Sequence, residues 1–554
     1  RDNLLSNANL MRECNLSLPN IDDPCSWENK PDVTVASELH HGSWWRDSWI
    51  GANCDKEKKE MLVPVIFYMD LISLDAHGRL SLTPLNFTLG IFNNATRRLN
   101  EAWETIHFHP DASHMKTFAK NKTEGIDGVE NLHRGLDAAF ESFYQQCKRT
   151  TIFQKLPWNG ELHEVRMKFA IAFVVGDTEQ HDKFCCRHQS RSMGTAFICR
   201  HCNCPAMDLD NTSVQSQTQL WTPDSFDLPL DFDGNEKQHW QSLSHHNVSN
   251  SFYRLDFGSN HHNIHFATPG ESLHMLQLGG AKRAVESFAK AVLSMDPKKG
   301  KKAKRSVAFS KLSNLAMNCG QSLSHQSDRC FPRLRFTSEI LNATKKNRKD
   351  YPGIIRCTVL ALISKKGKHI LNTHAKMENK KIHQFVRGFE LILLLDTFLQ
   401  KCGLKIENVR KINWFVKHFM VVYKKTFKRE GYGTCLIKNH LFFHLRKYIE
   451  MFGPPSGWDS APCESHHKND IKAPSIHTQR NASSLIEQTC NRKMEKLLLD
   501  RAMKSIGSFE NEMCHTNEHH KHIAGSRHTL HFDENGKPVI CLLYTSPSPR
   551  DPTS

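Results

Sequence analysis

The sequence predicts an α/β protein in which a mixed β-sheet is interrupted by a large, mostly α-helical insertion. Two apolar runs, Met61–Asp70 (MLVPVIFYMD) and His163–Asp177 (HEVRMKFAIAFVVGD), have the β-branched and aromatic composition of buried strands. From Ile382 onward, apolar residues recur at intervals of three and four, which is typical of helices that bury one face. No apolar run reaches the length of a membrane span, so we expect no membrane partner.

Weaker patterns extend the sheet around the first strand. The segment Arg79–Gly90 (RLSLTPLNFTLG) alternates apolar and polar residues and predicts a second strand bent at Pro84, and Thr105–His109 predicts a third. Together with the first run they would form a meander of antiparallel strands. Apolar residues at helical spacing then predict a helix over Gly128–Gln145.

The N-terminal region combines a polar segment with a tryptophan cluster. Residues 1–36 show little periodicity, so we expect a loop or disordered segment, and the start at Arg1 predicts that the chain is truncated there. Trp44, Trp45 and Trp49 follow within ELHHGSWWRDSWIG. Clustered tryptophans usually pack against a core, which predicts a flap on the sheet.

Changes in composition divide the rest of the chain. The motif Gly453-Pro454-Pro455 ends the helical block, and we interpret CLLYTSPSPRDPTS at the C-terminus as translated sequencing adapter. The expected segments are the first part of the core with a Cys-rich loop (37–205), the mostly helical, basic insertion (206–452), the return to the core (453–510), a polar tail (511–540) and the adapter-derived end (541–554).

Positive charge is concentrated in one segment. Lys298–Lys381 contains 21 Lys/Arg and 4 Asp/Glu, so it accounts for the whole net charge of +16. Such a segment predicts a surface that binds a polyanion, although a solvated lysine-rich insertion has the same composition. Its first residues, KKGKKAKR, resemble a nuclear-localisation signal, so we expect a nuclear protein. The residues expected to contact nucleic acid are Lys298, Lys299, Lys301, Lys302, Lys304 and Arg305.

The 18 cysteines include a metal-binding pattern. Because no secretory signal precedes them, we expect reduced thiols. Cys199-x2-Cys202 has the spacing of a zinc knuckle, and Cys186, His188 or Cys204 could complete four ligands. We take Cys186 and His188 as the partners in a closed, structural zinc site. The alternative is a set of buried, reduced thiols.

Three carboxylates form the candidate reactive site. Asp70 and Asp177 each end a predicted central strand, where ligands are often bound. Ser460 can cap a helix whose first turn contains Glu464. If that helix packs on the sheet, three acids meet and repel one another unless divalent cations bind them. Taken singly, each acid also fits a polar turn or an ordinary helix start.

The order strand-Asp, strand-Asp, helix-Glu resembles that of ribonuclease-H-like nucleotidyl transferases. More specifically, the chain resembles the CACTA superfamily of DDE transposases, closest to the Plavaka-type group. The resemblance runs from about Ser37 to Arg501. It is carried by the motifs HGSWW, VPVIFYMD with LTPLNFTLG, GDTEQHDKFCC with CRHC, ESLHMLQLGG, and HLFFHLRKYIEMFGPP with CESHHKNDIKA and QRN.

This resemblance implies a ribonuclease-H-like core and specific roles for its acids. Asp70 and Asp177 match the first and second catalytic Asp, and Glu464 matches the third acid. Glu271 and His274 match an acidic-x-x-His motif, with Glu271 in place of the more usual Asp. The acids would hold two Mg²⁺ (or Mn²⁺) ions. Neighbouring candidates, if the register differs, are Asp75, Glu179 and Asp182.

The implied activity is cutting and joining of DNA at transposon ends. Water attacks a phosphodiester, and the freed 3′-hydroxyl then attacks target DNA. The implied partner is double-stranded DNA, on which we expect the chain to assemble as a homo-oligomer. Two alternatives remain: a transposase-derived DNA-binding protein without catalysis, and a zinc-dependent protein-interaction module.

Overall fold

The structure of this protein is a computed structural model. It describes residues 2–28, 34–74, 80–110, 126–147, 152–188, 195–227, 233–259, 262–294, 307–324, 350–460, 462–464, 471–479, 484–514, 529–532 and 538–541. The described residues divide into two compact units, Arg1–Thr489 and Cys490–Ser554.

The strands are β1 (Val35–Ala36), β2 (Glu60–Met69), β3 (Ile72–Ser73), β4 (Ser81–Leu89), β5 (Glu104–Pro110), β6 (Ile152–Trp158), β7 (Glu161–Val175), β8 (Leu404–Lys405), β9 (Thr529–Phe532) and β10 (Pro538–Cys541). The α-helices are α1 (Asp2–Leu5), α2 (Ser43–Gly51), α3 (Ile126–Cys147), α4 (Thr178–Phe184), α5 (Glu236–Ser242), α6 (Lys282–Ser294), α7 (Val307–Ser324), α8 (Asp350–Ile363), α9 (Lys365–His374), α10 (Asn379–Leu399), α11 (Ile406–Thr426), α12 (Ile437–His440), α13 (Leu445–Phe452), α14 (Ala473–Ile476) and α15 (Leu485–Cys514). A π-helix, Leu273–Ala281, leads directly into α6.

The central sheet is mixed, which confirms the predicted α/β class. Strand β4 pairs antiparallel with β2 and β5, β7 runs parallel to β2, and β6 pairs antiparallel with β7. The predicted strands correspond to β2, β4, β5 and β7, and the predicted helix to α3. Strand β6 was not expected, because only one of its side chains is fully buried and its apolar pattern is therefore weak.

A one-residue bulge in β7 sets the level at which the two central strands end. Met61 pairs with Met167 and Val65 with Ile171, but Ile66 pairs with Phe173 and Tyr68 with Val175. The extra residue is Ala172, whose carbonyl accepts a hydrogen bond from His262 Nε2 at 2.9 Å. The shifted register continues to Asp70 and Asp177, so the bulge brings the two acids to the same level.

Strand β3 continues β2 along the same edge of β4. Met69 pairs with Leu85, and Ile72 pairs with Leu82 in unbroken register. Asp70 and Leu71 therefore occupy a local break in one long strand. Asp70 sits in that break, beside the last residues of β7.

Helices cover the sheet as the apolar patterns predict. Phe140 of α3 packs on Phe67 of β2, with ring centroids 5.4 Å apart. On α2, Trp44, Trp45 and Trp49 are buried, which confirms the expected tryptophan flap. The indole nitrogen of Trp44 donates to the carbonyl of Phe257 at 3.0 Å.

The region after Ile382 is helical, as expected, and the described helices begin earlier, at α7 and α8. Helix α10 packs against α8 and α11 through buried faces. The segment that contains His274 is a π-helix, Leu273–Ala281, which continues into α6. Wider π-turns inside helices are often found at functional sites.

The N-terminal segment is largely irregular, as expected of a loop, but it is packed, so the alternative of a disordered segment is wrong for residues 2–28. Leu4, Leu10 and Leu16 are buried in the main core. The backbone of Ser17 donates to the carbonyl of Ile91 at 2.8 Å. Spaced leucines in an otherwise polar segment bury enough apolar surface to order it.

The second unit contains a hairpin in the segment that we expected to be a polar tail, because β9 pairs antiparallel with β10. None of the helices in the described part of the chain combines the length and apolar composition that a membrane span requires.

Gly42 provides a test of how closely α2 approaches α13. A Cβ atom at Gly42 would lie 1.9 Å from the carbonyl oxygen of Met451, and backbone atoms cannot move aside cheaply. We expect Gly42→Ala to lower the free energy of unfolding by about 1–3 kcal/mol, measured by urea denaturation.

Gly128→Ala is the matched control in α3. Its Cβ would meet no atom within 4 Å, so it should be neutral or stabilise the protein by up to about 1 kcal/mol. Equal effects of the two substitutions would contradict the predicted contact.

Candidate functional site

Asp70 and Asp177 lie at the same edge of the sheet. Asp70 accepts a hydrogen bond from the backbone of Leu71 at 2.8 Å, and the hydroxyl of Tyr68 lies 3.5 Å from its second oxygen. Asp177 is the N-cap of α4 and accepts from the backbone of Gln180 at 2.6 Å. Between them, Gly176 approaches closely, since a Cβ there would lie 3.0 Å from the carbonyl oxygen of Met69.

Glu464 joins this pair from a distant part of the chain. Its backbone donates to the carbonyl of Ser460 at 2.9 Å, which is the helical turn expected from the sequence. Burial raises the pKa of Asp70 to about 7, with further increases from the charges of Asp177 and Glu464. His274 and the Leu71 amide act in the opposite direction. The three acids predicted from the sequence therefore share one electrostatic environment.

Glu271 and His274 form an ion pair at the start of the π-helix. Glu271 is 2 % exposed and accepts from the backbone nitrogens of Leu273 and His274, each at 2.7 Å. His274 Nδ1 donates to the same carboxylate. Burial lowers the pKa of His274, but the charge and hydrogen bond of Glu271, together with the charge of Asp177, raise it overall. Glu271 and Asp177 thus favour the protonated form of His274, against the effect of burial.

Lys438 is a member of the site that sequence reasoning missed. It lies on α12, and its pKa is lowered by burial and by Arg283, against the charges of Asp177 and Glu271. Its Cδ would lie 3.6 Å from a Cβ at Gly279 of the π-helix. No motif marks an isolated lysine of this kind, because its importance comes only from the packing of α12 on the π-helix.

The neighbouring acids have other partners. Asp182 is buried and forms an ion pair with Arg200 at 3.3 Å. Glu179 is exposed and pairs with Lys183 at 3.3 Å. Asp75 lies outside the described residues. Among the described acids, Asp70 and Asp177 thus remain the ones at the strand ends.

A second cluster places four metal-binding side chains together. Cys199, Cys202, His440 and His444 are buried, and one ligand atom from each lies within 4.8 Å of all the others. His440 Nδ1 donates to the carbonyl of Leu209 at 3.1 Å. This bond leaves the lone pair of Nε2 facing Cys202 Sγ at 3.2 Å. Two thiols and two imidazoles, one already oriented by a backbone carbonyl, fit a tetrahedral zinc ion.

The predicted ligand set was half wrong. Cys199 and Cys202 belong to the cluster, but Cys186 contacts His133 Nε2 at 3.2 Å, and the His188 ring packs on His246 with centroids 4.0 Å apart. The two members of the cluster that the sequence analysis missed, His440 and His444, are separated by one helical turn in the motif HLFFH. That spacing is a common metal-binding signal. Nothing local linked it to a CxxC motif so far away in the chain.

The expected nucleic-acid contacts, Lys298, Lys299, Lys301, Lys302, Lys304 and Arg305, lie outside the described residues.

A comparison of the chain with models of known protein families gives no match, and a comparison with characterised proteins gives none either.

The raised pKa of Asp70 predicts a pH-dependent effect of removing its charge. The ordinary pKa is 3.8 and the folded-state pKa about 7, so the unfolded state loses this proton first as the pH rises. The stability contributed by protonated Asp70 is therefore full below pH 3.8 and is lost by about pH 7.

In buffer without divalent cations, Asp70→Asn should raise the melting temperature more at pH 8 than at pH 5.5. Scanning fluorimetry measures the difference. Glu179→Gln should shift both values equally, and a pH-independent effect of Asp70→Asn would contradict the prediction.

The His/Cys cluster predicts a structural metal ion. Purified protein should contain about one zinc ion per chain, measured by mass spectrometry, and a chelator should lower its melting temperature. Cys202→Ser and His440→Ala should lose the metal, since each removes one of four ligands. Cys186→Ser is the matched control and should retain it. Loss of zinc from the Cys186 variant, with retention in the His440 variant, would restore the ligand set predicted from the sequence.

Proposed function

We propose that this chain is a DDE-type DNA transposase of the CACTA superfamily, which cuts and joins DNA by phosphodiester hydrolysis and strand transfer. The observation that carries the proposal is the shared environment of Asp70, Asp177 and Glu464. These acids come from two strand ends and a later helical turn, in the order that the family resemblance requires. Structural burial alone does not account for grouping acids that repel one another.

The topology of the sheet supports a ribonuclease-H-like core. Strands β2, β4 and β5 form an antiparallel meander, and the chain then returns through α3 and β6 to β7, which is parallel to β2. In ribonuclease-H-like proteins, the first strand is likewise flanked by an antiparallel neighbour and a parallel one. The first acid would follow the first strand and the second acid its parallel neighbour, as Asp70 and Asp177 do.

Metal binding gives the acids a role consistent with their chemistry. Carboxylates at the end of β2, at the start of α4 and after Ser460 offer the oxygen ligands that Mg²⁺ or Mn²⁺ prefers. Bound ions would neutralise the acids and activate the attacking and leaving oxygens. Asp70 requires such compensation most, because burial and its neighbours disfavour its charged form.

The remaining residues would position DNA. In cleavage, a water oxygen bonds to phosphorus and the 3′ oxygen leaves as a hydroxyl. In joining, that hydroxyl attacks a target phosphodiester, whose own 3′ oxygen leaves. His274, with Nδ1 held by Glu271, would donate its Nε2–H to a phosphate oxygen. Lys438 would add a second positive charge beside Asp177.

The experiment measures metal-dependent nicking and strand transfer on duplex DNA that carries the ends of the element. We expect wild-type protein to be active with Mg²⁺ or Mn²⁺. Asp70→Asn, Asp177→Asn and Glu464→Gln should each reduce cleavage by at least about 100-fold, because each removes a metal ligand. Glu179→Gln, which removes an exposed acid two residues from Asp177, is the control and should remain active.

Two outcomes would overturn the enzymatic proposal. Salt-sensitive DNA binding without cleavage, unchanged by the three acid substitutions, would identify a non-catalytic DNA-binding protein. Bound zinc with no DNA affinity would instead favour a protein-interaction module.

A further inference from the structure

A basic cleft borders the short helix that carries Lys438, and its lining residues lie outside the lysine-rich segment. It is formed by α6, the end of α11 and the loop that leads to α12, and it has a volume of about 420 Å³. Tyr423 and Phe427 are buried among its lining residues and form its floor. Its charged lining residues, which define the basic cleft from here on, are Arg283, Lys290, Lys428, Arg429, Glu286 and Glu430.

Some charged side chains of the basic cleft are neutralised by an ion-pair partner, whereas Arg283 is not fully satisfied. At its rim, Lys290 and Glu430 form an exposed ion pair at 2.7 Å and largely cancel. Deeper inside, Nη1 of Arg283 is buried and has no hydrogen-bond partner among the described residues. Burial lowers the pKa of Arg283, and the charge of Arg429 lowers it further, against Tyr423 and Glu286. Arg283 thus has a buried N–H donor without a partner and lies next to a second arginine. This arrangement favours the binding of an anion.

The basic cleft is linked to the carboxylate site through Lys438 and through the helix that carries Arg283. Arg283 interacts electrostatically with Lys438, which in turn interacts with Asp177 and Glu271. Arg283 also lies on the helix that continues the π-helix of His274, so the two residues are separated by on the order of 10 Å at a helical rise. The rise of about 3.4 Å per nucleotide is measured along the DNA axis, and the phosphates of one strand also wind around that axis, so this separation corresponds to about two nucleotides.

We infer that the basic cleft binds the sugar–phosphate backbone of the DNA strand that runs into the carboxylate site, with Arg283 holding a phosphate about two nucleotides from the reacting one. The inference rests on the proposed function and adds a specific binding site to it. A guanidinium can bind two phosphate oxygens at once, which a lysine cannot do. Because the described floor is apolar and its charged groups suit phosphates, this contact would position DNA without reading its sequence.

Fluorescence anisotropy with a labelled 30-base-pair duplex tests the inference on the full chain. Ca²⁺ replaces Mg²⁺ so that binding is measured without cleavage. Arg283→Gln should weaken binding roughly tenfold and reduce the slope of log affinity against log salt by about 1. Lys411→Gln is the matched control, because it removes one positive charge from an exposed ion pair with Glu407 on α11. It should bind like wild type.

A conservative variant separates binding from folding. Arg283→Lys keeps the charge but not the two-pronged contact, so it should restore part of the affinity. Circular dichroism and the melting temperature establish that each variant is folded. Wild-type affinity and salt slope in folded Arg283→Gln would overturn the inference. So would a preference of the wild-type protein for poly-glutamate over DNA, which would identify an acidic peptide as the occupant.

A second measurement places the contact on the DNA. A neutral methylphosphonate is introduced at single positions on either side of the cleaved bond. Substitution about two nucleotides away should weaken binding by wild-type protein and have no further effect on Arg283→Gln, because the two changes remove the same contact. Additive losses would overturn the assignment of Arg283 to that phosphate.

Failure of the inference differs from failure of the proposed function. If wild-type protein cleaves DNA and Arg283→Gln binds normally, only the basic cleft is wrong. If wild-type protein binds through Arg283 but does not cleave with Mg²⁺ or Mn²⁺, the enzymatic function fails and the binding site stands. Asp70→Asn links the two experiments, since it should bind DNA in Ca²⁺ and fail to cut it in Mg²⁺.

Discussion

The parallel pairing of β2 with β7 is the interaction on which the candidate site depends. Parallel strands end at the same edge of a sheet, and the bulge at Ala172 sets how far along that edge each strand reaches. Without the extra residue, Gly176 rather than Asp177 would lie level with Asp70, and the side chain of Asp177 would face the other side of the sheet. The geometry of the acids is thus decided by backbone pairing well before either acid.

The charge of the site follows from this geometry. Burial at the strand ends and the charge of Asp177 both disfavour the ionised form of Asp70. The pKa of Asp70 therefore rises to about 7. The protein compensates only in part, through the imidazole of His274 and the ammonium of Lys438. Arg200 is committed elsewhere, to Asp182 and to the hydroxyl and carbonyl of Thr268. In the proposed function, divalent cations would neutralise the acids, and His274 and Lys438 would contact the anionic substrate.

The His/Cys cluster brings together two distant parts of the chain that both lie next to the candidate carboxylate site. Cys199 and Cys202 lie in the loop that follows β7 and α4, whereas His440 and His444 lie at the end of the helical insertion. Lys438 belongs to the same short helix as His440, so a metal ion in this cluster would also set the position of Lys438 beside Asp177. Through α12 and the π-helix, the same packing extends to the wall of the basic cleft.

Local patterns in the sequence were enough to predict the main strands and helices, and they pointed to the candidate acids. Strong apolar runs predict β2 and β7, helical spacing predicts α3 and the helices after Ile382, and tryptophan clustering predicts the buried flap, because burial patterns of this kind are local. Asp70 and Asp177 were found because each directly follows such a run. Glu464, Glu271 and His274 were proposed from the family resemblance, and Cys199 and Cys202 from their spacing.

The contacts that these residues make depend on how distant parts of the chain fold together. A continuous apolar run gives no indication of the bulge at Ala172. The packing of distant helices places His440 and His444, rather than Cys186 and His188, beside Cys199 and Cys202. Lys438 and Arg283 have ordinary sequence surroundings, and their significance arises from burial beside charged neighbours. Periodicity reports which face of an element is buried, whereas a polar site depends on which distant side chains share that burial, and no local pattern contains that information.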